Sequence, residues 1–291
     1  MTGLTIREAS ANSDFAFQFR VPGVARKATV RQDMHVSPRI QVAPLPTIDT
    51  HAPIAGPLDI EVTFHMGSLD EANQMIEIAA ADGHILSAYV ARPLAGVRGG
   101  VVVVQSAYGV GAHIRAVCDS YADDGYVAIA PSLYDRQQRG AVFSYSPDDK
   151  KLSRRLRAGL SWSHVLMDIA AAHEQVACLG RVGIVGFCVG GSVSWLAAAT
   201  QSFAAASAYY GSDIVDLLDR RPACPIILHF GERDHLISLA DVERIRAAYP
   251  ETPLYMYNAG HGFDGVGEGA DPCAAQAARE RTLALFRRYI G

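Results

Sequence analysis

The sequence predicts an α/β fold, a mostly parallel central sheet with helices on both faces. From about Asp59 onward, short β-branched runs alternate with helical stretches, the pattern of a sheet covered on both sides. Gly100 to Gln105 is a continuous valine run, which suits a strand buried on both faces. Val182 to Gly191 reads strand, sharp turn, helix, with Cys188 at the turn.

Residues 1–57 stand apart from this pattern. Six of the fourteen prolines fall there (Pro22, Pro38, Pro44, Pro46, Pro53 and Pro57), and helical periodicity is weak. An extended, proline-rich arm with short strands is expected over 1–57, and the α/β domain over 58–291. Ile60 to His65 and Met75 to Ala80 read as strands. Asp82-Gly83 signals a hairpin whose partner strand is Ile85 to Arg92. After the valine run come a helix over Ala112 to Asp123 and a strand over Tyr126 to Ala130. One or two helices are expected within Lys150 to Cys178. Further strands are expected near Ala204 to Tyr210, Pro225 to Gly231 and Leu254 to Asn258. Helices over Leu239 to Tyr249 and Asp271 to Tyr289 alternate with them. Asp271-Pro272 supplies a cap and first-turn pair for the last helix.

Composition narrows the function classes. In 291 residues, 49% hydrophobic and 19% charged side chains support a large core, and a net charge of -4 gives no basic field for nucleic acid. Five cysteines without paired spacing argue for a reducing compartment rather than a disulfide framework. No apolar run is long enough to span a membrane, and Arg7, Glu8 and Asp14 stand where a signal peptide needs apolar residues. A cytoplasmic location without membrane contact is the expectation. The oligomeric state is left open.

A free cysteine in an apolar stretch is usually a small buried hydrophobe, the reading given to Cys118, Cys178, Cys224 and Cys273. Cys188 differs by its setting. Gly186-Phe187-Cys188-Val189-Gly190 has the form of a nucleophile elbow, Gly-x-Ser-x-Gly, with cysteine replacing serine. The turn brings strand and helix too close for side chains at the glycines. It also places the sulfur at a helix N-terminus, where backbone dipoles favour a thiolate. A thiol nucleophile needs a base, and the base needs an orienting group. Asp234 follows the strand Ile226 to Gly231, and His261 follows Leu254 to Tyr257. The chain order nucleophile, acid, histidine is that of α/β-hydrolases. His235 adjoins the acid on the wrong side for that order. His229, His235 and His261 match no compact zinc spacing, so no metal is expected. Two backbone N–H groups complete the set as an oxyanion hole, one from Val189 and one from the loop Ser106-Ala107-Tyr108.

The segments Gln105 to Val110, Gly125 to Ala128, Pro131 to Tyr134, Gly183 to Gly191, Ala208 to Gly211, Gly231 to His235 and Ala259 to Phe263 resemble, in order and spacing, the dienelactone hydrolase (carboxymethylenebutenolidase) family. The resemblance runs from about Met75 to the C-terminus. It implies an α/β-hydrolase fold, a Cys188, Asp234 and His261 triad, no cofactor, and the second oxyanion donor on Ala107 N–H. Tyr108, Tyr134, Tyr210, Phe263 and Ser106 are the candidates for contact with substrate. Arg115 and Arg136 are expected in structural ion pairs.

Three departures stand beside these matches. The family's glutamate after the first-motif glutamine is Ser106, which favours a standing thiolate–imidazolium pair. The family's substrate-binding arginine after the histidine falls at Gly265. Its partner falls near Ser153, with Arg154 or Arg155 close by. A guanidinium pair is the natural clamp for a carboxylate, and the Asp264 carboxylate is expected beside the site. A less acidic small-molecule ester or lactone follows as substrate. The competing readings are a non-catalytic or redox-responsive binding protein on the same fold, and an acyl transferase or thioesterase.

Overall fold

The computed structural model describes residues 73–267 and 269–291, together with the backbone of 14–21 and 24–31. The strand expected over Ile60 to His65 lies outside the described residues, as does the arm apart from those two segments. Two strands, β1 (Asp14–Val21) and β2 (Val24–Arg31), pair antiparallel, with Val21 opposite Val24. They belong to a unit spanning Met1–Glu71, separate from the unit of Ala72–Gly291.

The second unit is built on eight strands. They are β3 (Gln74–Ala79), β4 (Ile85–Ala91), β5 (Gly99–Val104), β6 (Tyr126–Pro131), β7 (Val182–Phe187), β8 (Ala205–Tyr209), β9 (Ile226–Gly231) and β10 (Leu254–Tyr257). Their order is β10-β9-β8-β7-β5-β6-β4-β3. β3 and β4 pair antiparallel, as do β4 and β6; the remaining pairs are parallel. Every residue of β5, β6, β7, β8 and β9 is buried. Their continuous β-branched and small apolar runs are what a strand with helices on both sides requires. The β3–β4 turn is closed by Asp82, whose Oδ1 accepts the His84 N–H at 3.1 Å, and by Gly83 at φ 84°.

Helices α1 (Ala112–Asp123), α2 (Pro147–Ala158), α3 (Trp162–Ala177), α4 (Val189–Thr200), α5 (Leu239–Ala248) and α6 (Pro272–Tyr289) complete the unit. The expected single or double helix after Lys150 is two, broken at Gly159-Leu160-Ser161. α2 starts earlier than the pattern suggests, because Ser146 caps the Asp149 N–H at 3.2 Å and Pro147 opens the first turn. Asp271 likewise caps Ala274 at 2.9 Å. α1 and α6 share one face of the sheet, where Tyr121 packs on Phe286 with ring centroids 5.7 Å apart. α3 and α4 cover the other face. A Cβ on Gly183 would meet Ile290 at 2.4 Å, so bare backbone there is what admits the C-terminal helix.

Candidate active site

The carboxyl edge of the parallel strands gathers the chemistry, as open α/β sheets do. Cys188 follows β7, Ser106 and Ala107 follow β5, Tyr210 follows β8, Asp234 follows β9 and His261 follows β10.

Cys188 adopts φ 57° and ψ -120°, a conformation that costs an L-residue free energy and that the surroundings must impose. Its N–H donates to the Tyr209 carbonyl at 3.0 Å, and its own carbonyl accepts the Gly191 N–H at 2.8 Å. A Cβ on Gly186 would lie 2.0 Å from the Gly190 oxygen, and one on Gly190 2.5 Å from the Val104 and Gln105 oxygens. No other residue type fits either place. Cys188 is half-buried at the N-cap of α4, and Val189 is the first helical residue, whose N–H has no intrahelical acceptor.

Asp234 has no exposed side-chain surface. Its Oδ1 accepts the N–H groups of Leu236 (2.8 Å) and Ile237 (3.1 Å), and its Oδ2 receives His261 Nδ1 at 2.8 Å. A carboxylate only accepts, so Nδ1 carries a proton and Nε2 is the free edge of the ring. Nε2 is buried and has no hydrogen-bond partner of sound geometry among the described residues. Burial alone would lower the His261 pKa. The Asp234 hydrogen bond and the Cys188 side chain outweigh it and raise the value to about 9. The Tyr210 ring stands edge-on to the imidazole at 4.8 Å, and His235 lies 6.1 Å away on another side.

The loop after β5 is fastened from several sides. Gln105 is buried and its Oε1 accepts the Leu133 N–H at 3.1 Å. The Ser106 hydroxyl and carbonyl accept the N–H groups of Tyr108 (3.4 Å) and Gly109 (3.3 Å). The Tyr134 hydroxyl donates to the Ala107 carbonyl at 3.0 Å. Burial raises the pKa of both Tyr108 and Tyr134, and the Cys188 side chain adds to each shift.

Of the aromatic candidates, Tyr108 is half-buried at the site, whereas Tyr134 (1% exposed), Tyr210 (2%) and Phe263 (1%) pack into the interior around it. Tyr134 braces the Ala107 loop, and Phe263 packs on Tyr210 and Tyr257. The Asp264 carboxylate, expected beside the site, is engaged with two neighbouring side chains. Its Oδ1 receives the Tyr210 hydroxyl, and its Oδ2 lies 3.1 Å from His113 Nε2.

Sequence reasoning missed Tyr145. It sits in a loop with no periodic signal, yet its ring lies 4.6 Å from that of Tyr108, and it borders Gly265 and Gly267. Arg154 is exposed, and its charge pulls the Tyr108 pKa down against burial. Ser153 is buried and donates to the Lys150 carbonyl.

Arg136 bridges Asp82 (2.7 Å) and Asp168 (2.7 Å), the structural pairing expected of it. Arg115 instead donates to the Val110 carbonyl and lies over the Tyr89 ring at 5.5 Å. All five cysteines are free; Cys118 is fully buried, Cys224 half-buried, and Cys178 and Cys273 exposed. His229 lies inside the sheet layer between Tyr257 (2.9 Å) and Thr282 (3.2 Å). Among the described residues, no three His, Cys, Asp or Glu side chains converge as a metal set, and no helix is long and apolar enough to cross a membrane.

A mostly parallel eight-stranded sheet, with an elbow at the end of β7 and a histidine–carboxylate pair beyond β9 and β10, defines an α/β-hydrolase. Residues 86–290 match the model of the dienelactone hydrolase family, and the chain belongs to that family. The carboxymethylenebutenolidase of Pseudomonas putida is 31% identical over 224 residues, 72% of this chain and 93% of that protein. The carboxymethylenebutenolidase of Pseudomonas sp. strain P51 is 30% identical over 228 residues, 73% of this chain and 94% of that protein. A solved Klebsiella pneumoniae structure, provisionally named a dienelactone hydrolase, superposes with a TM-score of 0.64 at 30% identity, covering 75% of this chain and all (100%) of that one. A dienelactone hydrolase-like promiscuous phosphotriesterase from metagenomic libraries, at 18% identity and a TM-score of 0.59 over 76% of this chain and 100% of that one, shares the fold. This chain is a dienelactone hydrolase-like hydrolase.

Proposed function

We propose that the protein cleaves a neutral ester or lactone through a thioester on Cys188. The observation that carries this reading is the His261 ring. It is fixed through Nδ1 to Asp234, and its buried Nε2, with no other partner among the described residues, is coupled to the Cys188 thiol at the elbow. His261 Nε2 holds the proton given up by Cys188, as a thiolate–imidazolium pair, and the thiolate Sγ bonds to the acyl carbon. The carbonyl π pair moves onto oxygen, where the N–H groups of Val189 and Ala107 stabilise it. Collapse of the tetrahedral intermediate breaks the acyl–oxygen bond, and the leaving alkoxide takes the proton from His261. A water, deprotonated by His261, attacks the thioester; sulfur leaves and is reprotonated, and the acid is released.

The preference for a neutral acyl group rests on what stands where the family resemblance calls for cations. Gly265 falls at one arginine position, with Tyr145 against it, and the other falls near Ser153, which is buried, with Arg154 and Arg155 beside it. The aromatic pair Tyr108 and Tyr145 offers apolar surface, and Arg154 is exposed. Residues 58–291 form the hydrolase domain in this reading, and residues 1–57 a separate arm. Five free cysteines support a reducing, cytoplasmic setting.

The test compares p-nitrophenol release from short-chain p-nitrophenyl esters by the native protein and by Cys188→Ala. Loss of turnover in the variant is expected. Equal turnover in both would remove Cys188 as nucleophile, and no turnover in either would favour the binding or redox reading.

A further inference from the structure

The loop that carries His261 is poorly suited to hold a side chain still. Residues 260–269 include Gly260, Gly262, Gly265, Gly267 and Gly269, and glycine leaves the backbone the most freedom to lose. Two side chains besides His261 tie this loop down. Phe263 is buried in the core. Asp264 is held by the Tyr210 hydroxyl on one oxygen and by His113 on the other, and its side chain is 9% exposed.

Each partner of Asp264 leads back to the reacting groups. Tyr210 has φ 38°, a conformation costly for a non-glycine residue, and its ring forms one wall of the His261 pocket. His113 lies in the first turn of α1 and packs edge-on against Phe187, the residue before Cys188, at 5.7 Å. His113 Nε2 also lies 3.2 Å from the Asp264 carbonyl oxygen. The three side chains therefore join the α1 terminus, the β8 terminus and the loop after β10. Asp264 also acts electrostatically on Tyr121, Tyr145 and Tyr209. Burial would lower the His113 pKa, but the Asp264 contacts outweigh it and raise it.

We propose that Asp264 is a positioning residue for the hydrolysis: through Tyr210 and His113 it holds the His261 loop so that Nε2 faces the thiol. This rests on the reading of Cys188 and His261 given above. Misplacing a catalytic group by about 1 Å costs on the order of 100-fold in rate. Groups that work as one unit give strongly non-additive losses.

The test measures kcat and KM separately on p-nitrophenyl butyrate for Asp264→Ala, Asp264→Asn, Tyr210→Phe and the double variant Asp264→Ala/Tyr210→Phe. Thermal melts confirm folding. The expected result is a fall in kcat of about 10- to 100-fold with KM within about 2-fold for Asp264→Ala and Tyr210→Phe. The double variant should be no slower than the worse single, and Asp264→Asn should recover part of the loss. A second readout needs no substrate: the proton-NMR midpoint of the His261 ring, expected near 9 in the native protein, should fall in Asp264→Ala and in Tyr210→Phe. A folded Asp264→Ala with native kcat and midpoint overturns the proposal, as do losses confined to KM or additive in the double variant. If Asp264→Ala does not fold, Tyr210→Phe and Asp264→Asn decide by the same readouts. Cys188→Ala, run alongside, separates the two failures: turnover surviving in that variant sinks the thiol mechanism itself, whereas loss there with an unaffected Asp264→Ala sinks only the positioning role.

Discussion

A Cβ built on Gly265 would stand 3.4 Å from the Tyr145 hydroxyl, within ordinary van der Waals contact. Tyr145 thus borders the space that an arginine at residue 265 would enter, and its ring meets Tyr108 at 4.6 Å. Native enzyme should hydrolyse p-nitrophenyl butyrate with a higher kcat/KM than the monoanionic p-nitrophenyl succinate. Gly265→Arg should shift that ratio toward the anion by about 10-fold, the value of one charge-assisted contact of ~1.4 kcal/mol. A native preference for the anion would contradict the assignment of a neutral substrate.

The His261 proton sets a second expectation. With the ring raised to about 9 by Asp234 and Cys188 against the effect of burial, the proposed mechanism has the imidazolium as the acid for the leaving alkoxide at neutral pH. Above about 9 it loses that proton, so kcat/KM should fall along an alkaline limb centred there. A rate that rises through this region to a plateau would mean that neutral His261 is the form that matters.

Stability should also depend on pH, in opposite senses for two histidines. His261 is raised from 6.5 to about 9 in the folded chain, so its contribution is complete below 6.5 and is lost as pH rises toward 9. His229 is lowered from 6.5 to about 3, by burial first and by the Arg281 charge second. The unfolded chain then binds more protons between those values, and stability falls as pH drops from 6.5 toward 3. Urea unfolding at several pH values should show His229→Gln losing less stability on acidification than the native protein. An unchanged acid slope would exclude His229 as a contributor.

The elbow itself predicts a stability defect. Gly186→Ala places a Cβ 2.0 Å from the Gly190 oxygen, which is backbone and has nowhere to move. A loss of roughly 3 kcal/mol or more is expected, seen as a melting temperature about 6–12 °C lower. Gly140→Ala is the control: its Cβ meets nothing within 4 Å, and only its φ of 68° resists the change. Equal behaviour of the two variants would contradict close packing at the elbow.

The sheet is readable in the sequence because its central strands are buried on both faces. A continuous valine run such as Val101 to Val104 fits a strand in the interior and little else. Cys188, Asp234 and His261 are legible for a related reason: each follows a strand end, and the elbow glycines mark the turn. Tyr145 is not, because its loop carries no periodicity and its importance comes from contacts with Tyr108 and Gly265, both distant along the chain. Asp264 reads in sequence as a carboxylate beside the site. Only the spatial approach of His113 from α1 and Tyr210 from β8 turns it into an internal tether. Tyr134 and Phe263 stand out by position in a motif, which identifies proximity to the site but not which way a ring points.

The most direct test of the thiol mechanism is to quench the enzyme with acid during turnover of p-nitrophenyl butyrate and measure its intact mass, then map the adduct. The account predicts a butyryl adduct on the Cys188 peptide, absent in Cys188→Ala. Steady turnover with an acyl group found on another residue, or an adduct that persists in Cys188→Ala, would contradict it.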